Sequence, residues 1–152
     1  MVPCAQGWKQ FRIISRGEVR VKVRLSNVAD HAAVAAGQLS PANVRTVEAD
    51  ALVDTGAVRS CVPQPLLDRL GLQPLDHSIV EYANGQKEAV GVAYGVMFDI
   101  LQRRSSDDAL VLGDEVLIGQ TLLEKMDLRV DCANRRLVPN PAHPDVAVNK
   151  LK

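Results

Sequence analysis

The alternation of apolar and basic residues over positions 18–25 limits the fold more than any other feature of this sequence. The apolar positions are Val19, Val21, Val23 and Leu25. A strict period of two predicts a β-strand with one packed face and one solvated face. Asn84-Gly85 is the strongest hairpin signal in the chain. Short apolar segments separated by turn residues favour a mostly-β domain, closer to a barrel or a compact sandwich than to a parallel sheet.

The other elements follow from turn residues and from the period of the apolar residues. Further strands are predicted at residues 45–54, 60–62, 78–82, 89–94, 96–101, 109–112, 116–119, 128–132 and 136–138. Pro63 and Pro65 open a helix that Gly71 ends, and residues 120–127 form a second short helix. Residues 26–46 are predicted to be a long connecting segment with one helical turn. The predicted division is an N-terminal extension at 1–17, one domain at 18–140 and a Pro-rich tail at 141–152.

The charge balance limits the partners that the protein can have. The 152 residues include 18 Lys and Arg and 18 Asp and Glu, so the formal net charge is zero. This balance argues against nucleic acid or an anionic membrane as the main partner. The sequence has no apolar run of about 18 residues and no apolar signal-peptide segment at its N-terminus. We therefore expect a soluble, cytoplasmic protein.

Cysteine and histidine residues are few and scattered. Cys4, Cys61 and Cys132 are odd in number and form no Cys-x-x-Cys pair, so neither a disulfide framework nor a zinc knuckle is expected. The three histidines do not pair at the spacing of helical metal ligands, and no phosphate-binding or dinucleotide-binding motif is present. No metal or other cofactor is predicted. Cys61 has two interpretations, a redox switch near a groove or a buried small apolar side chain.

A carboxylate stands at the end of an apolar run, because residues 51–53 lead directly into Asp54-Thr55-Gly56. Burying a carboxylate costs several kcal/mol unless it is paired, hydrogen-bonded or neutralised. Thr55 can supply a hydroxyl, and Gly56 lets the backbone bend sharply and approach a ligand closely. The alternative is an ordinary strand-to-turn junction, since all three residues favour turns. The tripeptide alone does not decide between these readings.

Three motifs follow one another in a set order. A strand ends in Asp54-Thr55-Gly56-Ala57, a hairpin has the tip Tyr82-Ala83-Asn84-Gly85, and Leu117-Ile118-Gly119 opens a short helix. This ordered set resembles the retropepsin-like aspartic proteases, the single-domain relatives of retroviral proteases, over roughly residues 18–140. Within that group the sequence is most similar to small bacterial proteins that have a long insertion between their first strands. Those proteins also carry an Asn-Pro-x-His-Pro tail, which here is residues 140–144.

The resemblance implies a closed, mostly antiparallel β-barrel with one or two short helices. Asp54 would be the catalytic aspartate, the Thr55 hydroxyl would brace the active-site loops against each other, and Gly56 would give close backbone approach. The residues implied to bind substrate are Ala57, Arg59 and the flap residues Tyr82, Ala83, Asn84 and Gly85. The residues implied to support the catalytic loop are Leu117, Ile118 and Gly119. The segment near residues 128–138 would contribute to a dimer sheet.

The implied chemistry needs two carboxylates that share one proton across a water molecule. One accepts a proton from the water while the other protonates the scissile carbonyl oxygen. The chain contains a single Asp-Thr-Gly, and Asp50 lies too far along the same strand to share a proton with Asp54. Asp114 and Asp131 are expected to be solvated or capping carboxylates. A second Asp54 from a twofold-related chain is the economical source, so we expect a homodimer.

Arg59 departs from the retroviral pattern, which places an acidic residue after the same motif to hold the substrate backbone. Val58-Arg59 would suit a more acidic peptide, and Arg59 can equally be an ordinary surface charge. The primary hypothesis is a homodimeric aspartic endopeptidase that takes extended peptides by strand addition under the flap. The rival is a dimeric peptide-binding or regulatory module with little turnover. A maturation protease that acts on one partner or on its own N-terminal segment is the third hypothesis.

Overall fold

The computed structural model describes residues 18–151, so the predicted N-terminal extension at 1–17 lies outside the described residues. Within this range the chain forms nine β-strands, three α-helices and one turn of 3-10 helix. The strands are β1 (Val19–Asn27), β2 (Thr46–Val53), β3 (Cys61–Val62), β4 (Asp76–Glu81), β5 (Lys87–Ile100), β6 (Arg103–Val111), β7 (Val116–Ile118), β8 (Leu128–Asp131) and β9 (Arg136–Pro139). The helices are α1 (Val28–Ala35), α2 (Gln64–Leu70), α3 (Gln120–Met126) and the 3-10 turn Pro41–Asn43.

Six of the strands close into a barrel. Their order around the sheet is β1-β2-β7-β3-β6-β5, and β1 also pairs with β5, which completes the ring. β4 pairs with β5 beyond the ring. The pairings are antiparallel except for two short parallel ones, β2 with β7 and β3 with β6. The predicted mostly-β barrel is confirmed, and its closure removes the long unpaired edges that an open sheet would expose.

Strand β5 pairs with two different strands along its length, first with β4 and then with β1. Residues 87–92 pair with β4, whereas residues 96–99 pair with the end of β1. A β-bulge between Ala93 and Val96 separates the two halves, and Gly95 within it has a φ of 79°. Glycine adopts this conformation without steric cost, and the bulge bends the strand. The sequence predicted two strands here, and they are one strand because the bulge shifts the pairing without ending it.

Aliphatic side chains fill the barrel, in keeping with the 3% aromatic content. The largest fully buried side chains include Phe98, Leu25, Leu67, Ile118 and Met126. A smaller group of buried residues packs separately from this core, and we call it the second apolar cluster. Its members are Cys61, Val90, Val92 and Leu110. Residues 18–151 therefore have one main core inside the barrel, a satellite core that joins β3, β5 and β6, and a small contact of Leu52 with Leu117.

Helix α1 is longer than the single helical turn predicted within residues 26–46. Asn27 caps it, because its side-chain oxygen accepts a hydrogen bond from the Asp30 amide at 3.1 Å. The Arg45 side chain donates two hydrogen bonds of 2.9 Å to the Asp30 carboxylate, which lowers the pKa of Asp30 to about 2. These partners are far apart in sequence, so the local pattern did not reveal the helix. The chain consequently has three α-helices within the described range where one or two were expected.

Helices α2 and α3 form where the sequence predicts them. Gly71 ends α2 with a φ of 72°, the left-handed conformation typical of a helix C-cap. Asp127 ends α3 in the same conformation with a φ of 56°, although it is not a glycine. Between residues 18 and 151, none of the helices has both the length and the apolar character needed to cross a membrane.

The β8–β9 hairpin forms a separate two-stranded sheet after α3. The tail that follows has no regular structure, as its prolines predict, but it packs against the end of α3. Asn140 is buried, and its side-chain amide donates to Asp127 Oδ1 at 2.9 Å. The His143 ring nitrogen Nδ1 lies 2.7 Å from Asp127 Oδ2. The tail therefore folds back onto its own chain.

Candidate active site

Asp54 follows β2 directly and is buried, with 3% of its surface exposed. Its amide donates a hydrogen bond to the Ile118 carbonyl at 2.9 Å. Its carboxylate oxygen Oδ1 accepts one from the Gly56 amide at 2.9 Å, and its carbonyl accepts one from the Ala57 amide at 3.1 Å. The loop is thus a tight turn around the carboxylate. These bonds meet the requirement that a buried carboxylate be hydrogen-bonded.

The segment Leu117-Ile118-Gly119 lies against this loop. β7 runs parallel to β2, with Ile118 beside Val53 as its register partner. The strand direction puts the Ile118 carbonyl within reach of the Asp54 amide. The segment therefore contacts the loop directly, and its role in supporting a catalytic site stays a prediction.

Gly119 allows helix α3 to approach the same loop very closely. A Cβ on Gly119 would lie 2.7 Å from the carbonyl carbon and oxygen of Arg59 and 3.0 Å from the carbonyl oxygen of Ala57. No larger residue fits without displacing the backbone. The first amide of α3, on Gln120, donates to the Ala57 carbonyl at 2.7 Å. The loop thereby supplies an acceptor for an amide that has no partner inside the helix.

Ser60 is a supporting residue that the sequence analysis missed. It is buried, and its hydroxyl oxygen accepts a hydrogen bond from the Gly119 amide at 2.9 Å. Its carbonyl accepts another from the Leu110 amide at 3.0 Å. Ser60 therefore joins the loop to both β7 and β6. The available signal was a small polar residue placed directly before the apolar pair Cys61-Val62.

The Thr55 hydroxyl has no hydrogen-bond partner among residues 18–151. Among the buried side-chain nitrogen and oxygen atoms of residues 18–151, Thr55 Oγ1 is the only one without a hydrogen bond. Thr55 lines a groove of about 570 Å³ beside the β8–β9 hairpin, which we call the Thr55 groove. The groove is lined by Thr55, Gln120, Leu123, Leu128, Arg129, Val130, Asp131, Val138 and Pro141. An unsatisfied buried hydroxyl costs roughly 1–3 kcal/mol, so a hydrogen-bond partner other than residues 18–151 of the same chain would stabilise this position.

The β4–β5 hairpin has its tip where the sequence predicts it. The Tyr82 amide donates to the Gln86 carbonyl at 2.8 Å, and the Gly85 amide donates to the Tyr82 carbonyl at 2.9 Å. The Asn84 side chain accepts from the Gln86 amide at 2.9 Å, and Gly85 has a φ of 84°. The Tyr82 phenol donates to a carboxylate oxygen of Glu88, which raises the pKa of Tyr82. These hydrogen bonds make the tip a self-contained turn.

The second apolar cluster connects the base of this hairpin to the loop. Cys61 packs with Val90 and Val92 from β5, and Leu117 and Val80 pack against the same cluster. Burial raises the pKa of the Cys61 thiol, which disfavours the reactive thiolate. The structure thus favours the buried apolar interpretation of Cys61 over a redox switch.

Arg59 and its neighbour are the more exposed part of the loop. The Val58 side chain is 68% exposed, and the Arg59 guanidinium lies 3.8 Å from the Asp108 carboxylate. An exposed ion pair of this kind contributes little stability, so Arg59 is available to a ligand of opposite charge. In the described part of the chain, no three His, Cys, Asp or Glu side chains are arranged to hold a metal ion.

Comparison with known proteins gives the following matches. Residues 40–125, more than half of the chain, match the family described as "gag-polyprotein putative aspartyl protease". The solution structure of simian foamy virus (mac) protease is 16% identical, with a TM-score of 0.44, and the match covers 68% of this chain and 90% of that chain. A foamy viral protease-reverse transcriptase in complex with an RNA/DNA hybrid is 17% identical, with a TM-score of 0.46, over 70% of this chain and 11% of that chain. None of the curated proteins matches the chain.

The family match spans the loop that begins at Asp54, the β4–β5 hairpin and the supporting residue Gly119. These are the three motifs that the sequence analysis found in order. The closed barrel brings the loop that begins at Asp54 into direct contact with the segment 117–119. The second apolar cluster links the β4–β5 hairpin to that loop. The chain belongs to the gag-polyprotein aspartyl protease family, and its fold is a retropepsin-like β-barrel.

Proposed function

We propose that the protein is a homodimeric aspartic endopeptidase whose active site combines Asp54 from two copies of the chain. Membership of an aspartyl protease family supports the general chemistry. The main support for a dimer is the buried Thr55 hydroxyl, which has no hydrogen-bond partner in the described part of its own chain. A proton-sharing pair of carboxylates requires a second aspartate, and the chain has one Asp-Thr-Gly.

A twofold axis beside the Thr55 groove would satisfy this hydroxyl. Each copy would bring its own Thr55 to the axis, and a hydroxyl can both donate and accept a hydrogen bond. Because Asp54 precedes Thr55 directly, the same contact would set the two carboxylates close together. The proposed dimer therefore resolves an unsatisfied polar group and completes the catalytic pair in one step.

The proposed reaction uses a water molecule held between the two carboxylates. The ionised carboxylate takes a proton from the water, whose oxygen attacks the scissile carbonyl carbon, while the protonated carboxyl group donates its proton to the carbonyl oxygen. Proton transfer to the leaving nitrogen then breaks the carbon–nitrogen bond. The Gly56 amide, 2.9 Å from Asp54 Oδ1, would fix the orientation of the carboxylate. Since two negative charges this close repel each other, the pair would hold one proton between its two carboxylates.

The proposed substrate is an extended peptide bound between the loop and the β4–β5 hairpin, which acts as the flap. An extended chain can add to strand backbone by hydrogen bonds while its side chains enter pockets on alternate sides. Ala57 and the flap-tip residues 82–85 are the proposed contacts. Arg59, whose side chain is 40% exposed, would favour an acidic side chain nearby. The proposed substrate class is thus an extended peptide with an acidic position beside the cleavage site.

Cleavage of a peptide library by the wild type and by an Asp54→Asn variant tests the proposal. Asp50→Asn is the matched control, because Asp50 is exposed and pairs with Lys22 at 3.4 Å on the outside of the barrel. We expect the wild type and the control to cleave equally, and Asp54→Asn to lose at least ~10³-fold in rate, the scale expected for a catalytic group.

Equal cleavage by the wild type and Asp54→Asn, or no cleavage at any pH, would refute the proposal. If the wild type and Asp54→Asn bind the same extended peptides with equal affinity and neither cleaves them, the protein is the dimeric peptide-binding module instead.

A further inference from the structure

Asp127 holds the tail after β9 against the end of α3. The Asn140 amide donates to the Asp127 carbonyl at 3.0 Å, and the Asn140 side chain donates to Oδ1 at 2.9 Å. The His143 ring lies 2.7 Å from Oδ2, and the Val148 amide donates to the same oxygen at 3.1 Å. We call these contacts the Asp127 clasp. They bind three separated positions of the tail to a single residue.

Arg103 holds the clasp from the side of the barrel. Its side chain is 6% exposed, and Nη1 donates to the carbonyls of Met126 and Asp127 at 3.2 and 2.7 Å. Its other terminal nitrogen donates to the carbonyl of His143. A buried guanidinium needs several acceptors, and this one takes them from the helix end and from the tail together. The tail is therefore packed against the domain by specific hydrogen bonds.

The clasp brings Pro141 into the wall of the Thr55 groove. Pro141 follows Asn140, whose side-chain oxygen also accepts a hydrogen bond from the Ala142 amide at 3.1 Å. The clasped residue Asn140 thus fixes the chain on both sides of Pro141. The apolar part of the groove comes from α3 and the hairpin, through Leu123, Leu128, Val130 and Val138.

A second copy of the chain is the occupant that fits this groove. The unpartnered Thr55 hydroxyl lies on the same surface. The groove also carries Arg129 and Asp131, and Arg129 has no ion-pair partner among residues 18–151. Asp131 pairs with Arg136 at 3.6 Å at the hairpin surface. Asp131 also accepts hydrogen bonds from the Asn134 amide at 3.2 Å and from the Asn134 side chain at 2.8 Å. Arg129 is therefore the cation that this groove offers to a carboxylate of the second copy.

We infer that the Asp127 clasp builds one wall of the surface that receives the second protomer and sets dimer affinity through the position of Pro141. This inference rests on the proposed function, because the partner is the second copy that the active site needs. Loosening the clasp should weaken the dimer while leaving the loop around Asp54 unchanged. The tail then regulates activity through assembly and not through the chemical step.

Sedimentation equilibrium of wild type and Asn140→Ala tests the inference. The substitution removes the side-chain bond to Asp127 and the bond from Ala142, and we expect the dimer Kd to rise by about tenfold or more. At protein concentrations that saturate the dimer, kcat should equal that of the wild type. Asn149→Ala is the matched control, since Asn149 is exposed and lies beyond the clasp. Its dimer Kd should not change.

Because Asn140→Ala also removes buried hydrogen bonds, Pro141→Glu serves as a second variant. It leaves the clasp residues in place and adds a charge to the groove wall, so it should raise the dimer Kd with no change in the thermal unfolding of the monomer. A wild-type dimer whose Kd is unchanged in both variants overturns the inference and leaves the proposed function intact. A wild-type chain that remains monomeric while it cleaves peptides overturns both.

Discussion

The amide of Asp54 and the carbonyl of Ile118 are joined by a hydrogen bond of 2.9 Å, across a parallel strand pairing. The candidate catalytic residue is thus tied to a strand that joins the barrel much later in the chain. Turn-forming residues alone do not fix the position of the carboxylate, because closure of the barrel fixes it as well. Any change that moves β7 away from β2 should therefore move Asp54.

Gly119→Ala should damage both stability and activity. Its new Cβ would lie 2.7 Å from the Arg59 carbonyl atoms, so the loop must shift, and overpacking of this kind costs about 1–3 kcal/mol. Urea denaturation measures the free energy of unfolding, and peptide cleavage measures the displacement of the loop. Thr121→Ala is the control, because the Thr121 side chain is exposed and the variant keeps the backbone amide that donates to Val58. Unchanged stability in Gly119→Ala would contradict the close approach of α3 to the loop.

Ser60→Ala should leave the Gly119 amide buried without its acceptor. An unsatisfied buried donor costs about 1–3 kcal/mol, and we expect the free energy of unfolding to fall by that amount. Chemical denaturation checks the change against Ser106→Ala, because the Ser106 side chain is exposed. If both variants unfold at the same denaturant concentration, the Ser60 hydroxyl does not contribute to holding the loop.

Thr55→Val should weaken the dimer without destabilising the monomer. Valine keeps the shape of the side chain but lacks the hydroxyl, and no group within residues 18–151 of the same chain bonds to that hydroxyl. Dimer Kd from sedimentation equilibrium should rise, whereas thermal unfolding at protein concentrations far below Kd should be unchanged or slightly higher. Thr55→Ser retains the hydroxyl and should dimerise like the wild type. A loss of monomer stability in Thr55→Val would indicate an intrachain role for the hydroxyl.

Acid should weaken the fold through the pair of Asp30 and Arg45. The pKa of Asp30 is lowered from 3.8 to about 2 in the folded chain, chiefly by the hydrogen bonds from Arg45. A lowered carboxyl pKa stabilises the folded state above the unfolded pKa and loses this contribution as the pH falls through the folded pKa. The free energy of unfolding should therefore decrease between about pH 4 and pH 2. Urea denaturation over this range should show a flatter dependence in Asp30→Asn. Arg45→Gln should flatten it less, because it keeps the backbone amide that donates to Asp30 at 3.0 Å.

Local sequence patterns were sufficient to predict most strands, the C-terminal ends of α2 and α3, and the tip of the β4–β5 hairpin. The alternation that begins at Val19, the glycine at position 71 and the Asn84-Gly85 turn each act over a few neighbouring residues. The barrel class followed from the number of such segments. Closure of the barrel required a pairing of β1 with β5, which no local pattern specifies.

Features that depend on distant partners were missed. Helix α1 is stabilised where Asp30 meets Arg45, and Ser60 has its role because Gly119 lies next to it. The tail was correctly expected to lack regular structure, but its attachment to Asp127 depends on a residue before the β8–β9 hairpin. The residues of the candidate site were recognisable in the sequence from their order. Their mutual support became visible only in three dimensions.

The bulge in β5 decides which valines of that strand face which core. Side chains alternate between the two faces of a strand, so an uninterrupted strand would put Val90 and Val92 on the same face as Val96 and Phe98. The extra residue reverses the parity, and Val90 and Val92 join Cys61 in the second apolar cluster while Val96 and Phe98 fill the barrel. A single inserted position thus divides one continuous strand between two cores, and the apolar cluster beside the loop that begins at Asp54 exists because of it.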